Sequence, residues 1–117
     1  MRTLSTLSGN RFQYKIHPDG ELIVYVSDRE GKPQNKSAIV ITPYTINLVK
    51  DVIRNRLEIA MGASRDNSPP GSLGALIKGE KQSPQQLSYL IPILIEVDEC
   101  EARRERRAFM IKHIDER

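Results

Sequence analysis

The hydrophobic pattern changes its period at Thr42-Pro43, and this change limits the fold more than any other feature of the sequence. Before this point, apolar Phe12, Tyr14 and Ile16 alternate with polar neighbours, which is the spacing of a half-buried β-strand. After it, apolar residues recur three and four positions apart, as they do along one face of a helix. The chain is therefore expected to have an α+β fold whose strands precede its helices.

The first part of the chain is predicted to form an antiparallel β-meander over residues 11–41. Its strands are expected at 11–16, 22–26 and 38–41. Pro18-Asp19-Gly20 favours a tight turn between the first two strands, because proline presets φ and glycine accepts a positive φ. A second polar turn is expected at 28–36, whereas the polar residues 1–10 are expected to be loosely ordered.

Length and composition exclude several classes of protein. The chain has 117 residues, of which 38% are hydrophobic and 5% aromatic, so a single domain with an aliphatic core is expected. Cys100 is the only cysteine, which excludes an internal disulfide framework. No apolar run is long enough for a membrane span, and we expect a soluble cytoplasmic protein. The net charge of +3 is compatible with a nucleic-acid partner without requiring one.

A long helix is predicted to begin at Pro43, after a cap at Thr42. Its apolar face would contain Ile46, Val49, Ile53, Leu57 and Ala60, and Gly62 would end or weaken it. Residues 61–72 have the composition of a loop. Ser72 can then cap a short helix that contains Leu73, Leu76 and Ile77 and stops at Gly79.

A third helix is predicted at residues 83–96. Ser83 and Gln86 have the spacing of a capping box, and Pro84 suits the first helical position. Leu87, Leu90, Ile91, Leu94 and Ile95 would form its apolar stripe. Its other side would carry Gln82, Gln85, Ser88 and Tyr89, which are polar but uncharged. Pro92 should kink the helix, because proline removes one of its hydrogen bonds.

The C-terminal part contains an arginine-rich segment, Arg103-Arg104-Glu105-Arg106-Arg107, followed by the strand-like residues 108–114. As a hairpin, these residues would complete the order helix, loop, short helix, capped helix, hairpin. In this order, residues 43–114 resemble a winged helix-turn-helix domain. The tip contains no glycine or asparagine, so the alternative remains that the third helix continues through Arg107.

The resemblance implies sequence-specific binding of duplex DNA, as in a small transcriptional regulator. Helix 83–96 would lie in the major groove and the wing on the backbone. Glutamine can make two hydrogen bonds to adenine, and arginine can neutralise phosphates. The expected DNA-binding residues are Gln82, Ser83, Gln85, Gln86, Tyr89, Arg65, Arg103, Arg104, Arg106 and Arg107. Because dimers commonly read operators, a homodimer is expected, with the β-meander left for dimerisation or an effector.

Two other functions remain open. The same fold could be a protein–protein adaptor that uses Tyr89 and Ile93 as an apolar contact, or an accessory subunit of a phage or restriction system. Enzyme activity is not expected, because the sequence has neither a phosphate-binding glycine loop nor a suggestive pair of acids. Neither His17 nor His113 has metal ligands at the usual sequence spacing, and no cofactor is expected.

Overall fold

The computed structural model describes residues 1–26, 38–64, 68–106 and 108–114. Within them, an antiparallel four-stranded sheet precedes three helical segments and a three-stranded sheet. The strands are β1 (Arg2–Ser5), β2 (Arg11–Ile16), β3 (Leu22–Val26), β4 (Ile39–Ile41), β5 (Ile59–Ala60), β6 (Cys100–Glu105) and β7 (Ala108–His113). The helices are α1 (Pro43–Arg54), α2 (Leu73–Gly79) and α3 (Leu87–Glu96), with a 3-10 helix at Pro84–Gln86.

The N-terminal sheet has the order β1-β2-β3-β4. Phe12, Tyr14 and Val24 point to its buried face, as the alternating pattern predicts. The expectation of a loose N-terminus is wrong, because β1 pairs with β2 and aligns Leu4 with Phe12. The signal for β1 is weak because only Leu4 among its residues is apolar. The predicted turn at 28–36 lies outside the described residues.

Helix α1 is shorter than the sequence pattern predicts. It begins as expected, with the Thr42 hydroxyl accepting a hydrogen bond from the backbone N–H of Thr45, but it ends at Arg54. Leu57 is therefore off the predicted apolar face and is 93% exposed. Ala60 belongs to β5, so Gly62 does not end this helix. Ile59, which lies off the predicted helical face, is the residue of β5 that is buried.

Helix α2 is held against the preceding loop by a close contact between two glycines. As predicted, Ser72 caps the helix by accepting a hydrogen bond from the N–H of Ala75. A β-carbon at Gly74 would lie 1.7 Å from the carbonyl oxygen of Gly62, and one at Gly62 would lie 2.3 Å from Ser72 Oγ. Gly62 also has a φ of +59°. Only glycine fits at both positions.

The third helical segment begins differently from the prediction. Residues 84–86 form a 3-10 helix and the α-helix starts at Leu87. The predicted capping box is absent, since the Ser83 side chain makes no capping hydrogen bond. Helix α3 continues through Pro92 and is buried on most sides, with Glu96 as its only exposed residue. A helix whose apolar residues extend beyond one face is typically a buried helix.

The C-terminal sheet has the order β5-β7-β6 and contains the predicted hairpin. Glu105 pairs with Ala108, so two residues connect β6 to β7. The alternative of a helix through Arg107 is therefore wrong. One apolar core joins this sheet to the helices and the N-terminal sheet, and it includes Phe12, Val49, Ile91 and Ile111.

Candidate nucleic-acid interface

The tip of the β6–β7 hairpin places arginines on the surface. Arg104 and Arg106 are both exposed. Arg106 has a φ of +56°, a left-handed conformation that glycine and asparagine adopt more easily. Within the described part of the chain, no carboxylate lies within ion-pair distance of either guanidinium. The tip therefore presents at least two positive charges to solvent.

Arg104 is oriented by its neighbours in the hairpin. Its guanidinium lies over the ring of Phe109, 5.6 Å from the ring centre. Its Nε donates to the backbone carbonyl of Arg106 at 3.3 Å. These contacts restrain the stem of the side chain while leaving several N–H donors for an external acceptor.

Arg103 is bound within the protein. Its Nε and one terminal nitrogen donate to the two carboxylate oxygens of Glu58, at 2.9 and 2.5 Å. The same terminal nitrogen lies 3.2 Å from a Glu105 oxygen. The hydrogen bond from Arg103 lowers the pKa of Glu58, and the hydrogen bond to Glu58 raises the pKa of Arg103. Arg103 is thus a poor phosphate ligand unless it leaves Glu58. This pair could not be predicted from sequence spacing, because 45 positions separate its members.

The predicted base-contacting residues in the segment before α3 differ in whether they are bound within the protein. The Gln82 Oε1 accepts a hydrogen bond of 2.8 Å from the buried Thr45 hydroxyl, so Gln82 connects α1 to this segment. Ser83 and Gln85 are exposed, and Gln86 is half-buried. Ser83, Gln85 and Gln86 can therefore reach a partner without breaking an internal contact, whereas Gln82 cannot.

Tyr89 was predicted on a polar outer face, and this prediction is wrong. Its ring packs edge-on against Phe12, with ring centres 5.2 Å apart. The N-terminal sheet covers this side of α3, so the Tyr89 ring faces the sheet and not solvent alone. Ile93, the other residue of the predicted adaptor surface, is 5% exposed and belongs to the core. Ile93 is thus buried in the core, and Tyr89 is half-buried against it.

The hairpin lies next to the start of α2. The Phe109 carbonyl accepts a hydrogen bond from the Met61 N–H, and the Met61 carbonyl accepts one from the Gly74 N–H, both at 2.9 Å. Helix α2 has seven residues and is therefore about 10 Å long, and residues 82–86 follow it. Of the other predicted ligands, Arg65 and Arg107 lie outside the described residues.

Two clusters of titratable side chains were missed by the sequence analysis. Ligand atoms of His17, Asp19 and Glu21 lie within 4.8 Å of one another at the exposed β2–β3 turn. The available sequence signal was that these three residues occupy alternate positions, 17, 19 and 21. The second cluster surrounds Glu99, which forms an ion pair with Arg54 and lies 3.7 Å from Lys50 Nζ. Nothing in sequence spacing links α1 to Glu99.

The comparisons with known proteins identify no family. No family model matches the chain, and no curated protein or solved structure matches it. Among the described residues, no helix is both long enough and apolar enough to cross a membrane.

Proposed function

We propose that the protein binds duplex DNA as a small transcriptional regulator with a winged-helix arrangement of residues 43–114. The main support is the exposed hairpin tip, where Arg104 and Arg106 have no carboxylate partner among the described residues. Arginine at the left-handed position 106 is unfavourable for the turn itself. A residue that costs stability at an exposed tip is expected where its side chain has a function.

The order of elements also supports this proposal. Helix α1, strand β5, helices α2 and α3 and the β6–β7 hairpin follow one another along the chain. This order agrees with the helix-turn-helix and wing resemblance on which DNA binding was predicted. In such domains the second helix of the motif approaches the major groove by its N-terminal end. Here that end carries the exposed residues Ser83 and Gln85.

The proposed contacts are fewer than those predicted from sequence. Arg104 and Arg106 would contact phosphates, and Gln85, with Ser83 or Gln86, would contact base edges. Gln82 and Tyr89 are removed from the contact set because both are bound internally. Arg103 would contribute only after exchanging Glu58 for phosphate. Since so few side chains reach the bases, most of the affinity would come from the backbone.

We further propose that a homodimer binds the DNA, because one such segment would read only a short half-site. The outer face of the N-terminal sheet would be available for this contact. Ile23 and Tyr25 are half-buried there, and Val40 is 45% exposed. Light scattering at several protein concentrations would measure the oligomeric state directly.

A salt titration tests the DNA-binding proposal. Binding of a fluorescent duplex of random sequence would be measured for the wild type and for a variant with Arg104→Ala and Arg106→Ala. Losing two phosphate contacts should reduce the slope of log affinity against log salt by about two units. A variant with Arg2→Ala and Arg56→Ala, both exposed and outside the hairpin tip and the outer face of the N-terminal sheet, is the charge-matched control. An unchanged slope in the hairpin variant would remove the hairpin from the interface.

The burial of α3 favours a second candidate, a protein–protein adaptor. A helix with one exposed residue offers little surface to a DNA groove. On this alternative, Leu57, which is 93% exposed, is a better apolar contact than Tyr89 or Ile93. The same titration distinguishes the two functions, because an adaptor would show negligible DNA affinity at physiological salt.

A further inference from the structure

The turn that ends α2 carries an exposed lysine in a left-handed backbone conformation. The N–H of Lys81 donates to the carbonyl of Lys78 at 3.0 Å, and the N–H of Gln82 donates to the carbonyl of Ile77 at 2.9 Å. This pair of bonds forms a Schellman motif, in which Lys81 occupies the left-handed position with a φ of +63°. Glycine is the usual residue there, because it has no β-carbon. Lysine at this position therefore strains the turn.

Two of the three left-handed residues other than glycine, in the part of the chain that the structure describes, are long exposed cations. These two are Lys81 and Arg106, and the third is Asp98, which ends α3. Aspartate tolerates a left-handed φ better than most residues, because its short polar side chain can bond to the nearby backbone. Lysine and arginine lack this advantage. Lys81 thus resembles Arg106, which the proposed DNA interface already uses.

The charge of Lys81 is not bound within the protein. Among the residues with a described structure, no carboxylate forms an ion pair with its ammonium. The adjacent Glu80 contacts α1 instead, where its Oε2 accepts a hydrogen bond of 3.3 Å from the Tyr44 hydroxyl. The three N–H donors of the exposed Lys81 ammonium are therefore available to an external acceptor.

Lys81 lies next to the residues that are proposed to contact base edges. Ser83 and Gln85 follow it closely in the chain, and both are exposed. Gln82, which separates them from Lys81, is held by its hydrogen bond of 2.8 Å from the buried Thr45 hydroxyl. The hairpin instead contacts the loop before the start of α2. Lys81 is therefore a cation beside the recognition segment and on a different element from the wing.

We propose that Lys81 is a further DNA-binding residue, whose ammonium contacts a backbone phosphate beside the bases that Ser83 and Gln85 contact. This inference rests on the proposed function, because it adds a phosphate contact on the same duplex. A phosphate contact fixes the register of the protein on DNA, whereas a glutamine at a base edge discriminates between sequences. The third helical segment is then held by phosphate contacts that precede it and follow it in the chain.

Three variants of the full chain test this contact, each titrated with a fluorescent duplex of random sequence at several salt concentrations and unfolded in urea. Lys81→Gly should lower the slope of log affinity against log salt by about one unit. The same variant should unfold at a higher urea concentration, because glycine relieves the left-handed turn. Lys81→Arg keeps the charge and should bind like the wild type. Arg56→Ala removes one exposed charge between α1 and β5 and should keep the salt slope.

The two measurements separate a DNA contact from a structural role of Lys81. A cation near the C-terminus of a helix can stabilise it through the helix dipole, and a lysine with this role alone would give a less stable Lys81→Gly variant with an unchanged salt slope. If the wild type binds DNA and Lys81→Gly keeps its slope, the Lys81 contact is wrong and the proposed function stands. If the wild type has negligible affinity for DNA, the proposed function is wrong and the Lys81 contact with it.

Discussion

The Thr45 hydroxyl donates a hydrogen bond of 2.8 Å to the side-chain oxygen of Gln82, and this bond joins α1 to the segment that precedes α3. Thr45 is completely buried and Gln82 is half-buried. The contact fixes the start of the third helical segment against α1. It also separates Gln82 from its exposed neighbour Gln85, although the two glutamines look equivalent in the sequence.

Thr45→Val should destabilise the protein although valine has nearly the same shape. The change removes the donor and leaves the Gln82 oxygen without its buried partner, so we expect a loss of about 1–3 kcal/mol in the free energy of unfolding. Urea denaturation measures this loss. Gln85→Ala is the matched control and should stay within about 0.5 kcal/mol, because the side chain is exposed. Equal stabilities for the two variants would contradict a structural role for the bond.

Tyr89→Ala should act on folding and not on recognition. Truncation removes the edge-on contact with Phe12 and leaves a cavity between α3 and the N-terminal sheet. Full truncation of a core aromatic costs about 3–5 kcal/mol, and Tyr89 should lose somewhat less because it is half-buried. Tyr89→Phe keeps the ring and should melt close to the wild type. A stable Tyr89→Ala variant with lost DNA affinity would instead make Tyr89 a contact residue.

Glu58→Gln should strengthen DNA binding, if the proposed interface is correct. The variant weakens the hold on Arg103, which can then contact a phosphate, so the salt slope should steepen by up to about one unit. Glu101→Gln removes the same charge from β6 without removing an ion pair of Arg103, and is the control. Equal effects of the two changes would indicate general electrostatics and not release of Arg103.

Cys100 should make stability depend on alkaline pH. Burial, followed by the nearby charges of Glu99 and Glu101, raises the pKa of the Cys100 thiol from 9.0 to about 12. Because the unfolded thiol loses its proton first, this contribution is full below pH 9.0 and is lost as the pH rises towards about 12.

The measurement is the free energy of unfolding of the wild type and of Cys100→Ala at rising pH. Other groups titrate in both proteins, so the informative quantity is their difference. The advantage of the wild type should shrink above pH 9.0. The native thiol should also react slowly with alkylating reagents at neutral pH, since the thiolate is the reactive form. A pH-independent difference would contradict the raised pKa.

The sequence predicted those elements whose signals are local. Alternation identified β2, the Ser72 cap identified the start of α2, and the residues after the arginine run identified β7. Boundaries were predicted less well. Leu57 has helical spacing relative to Ile53 but is exposed, because α1 had already ended.

The candidate site was predicted only in part, because partners distant in the sequence decide which polar side chains remain available. Gln82 and Gln85 have the same chemistry and lie near each other, yet only Gln82 meets a buried hydroxyl. Arg103 and Arg104 are adjacent, yet they point to opposite sides of a strand, so only Arg103 reaches Glu58. Period and composition contain no information about these pairings.

The contact between Gly62 and Gly74 sets a rule for sequence change in this molecule. Alanine at position 74 would place its β-carbon 1.7 Å from the Gly62 carbonyl oxygen, so the backbone would have to shift. Glycine is required at each position for its own reason: at 74 by the carbonyl of residue 62, and at 62 by Ser72 and a φ of +59°. The start of α2 thus depends on three small residues, Gly62, Ser72 and Gly74, because larger side chains would separate the helix from the loop before it.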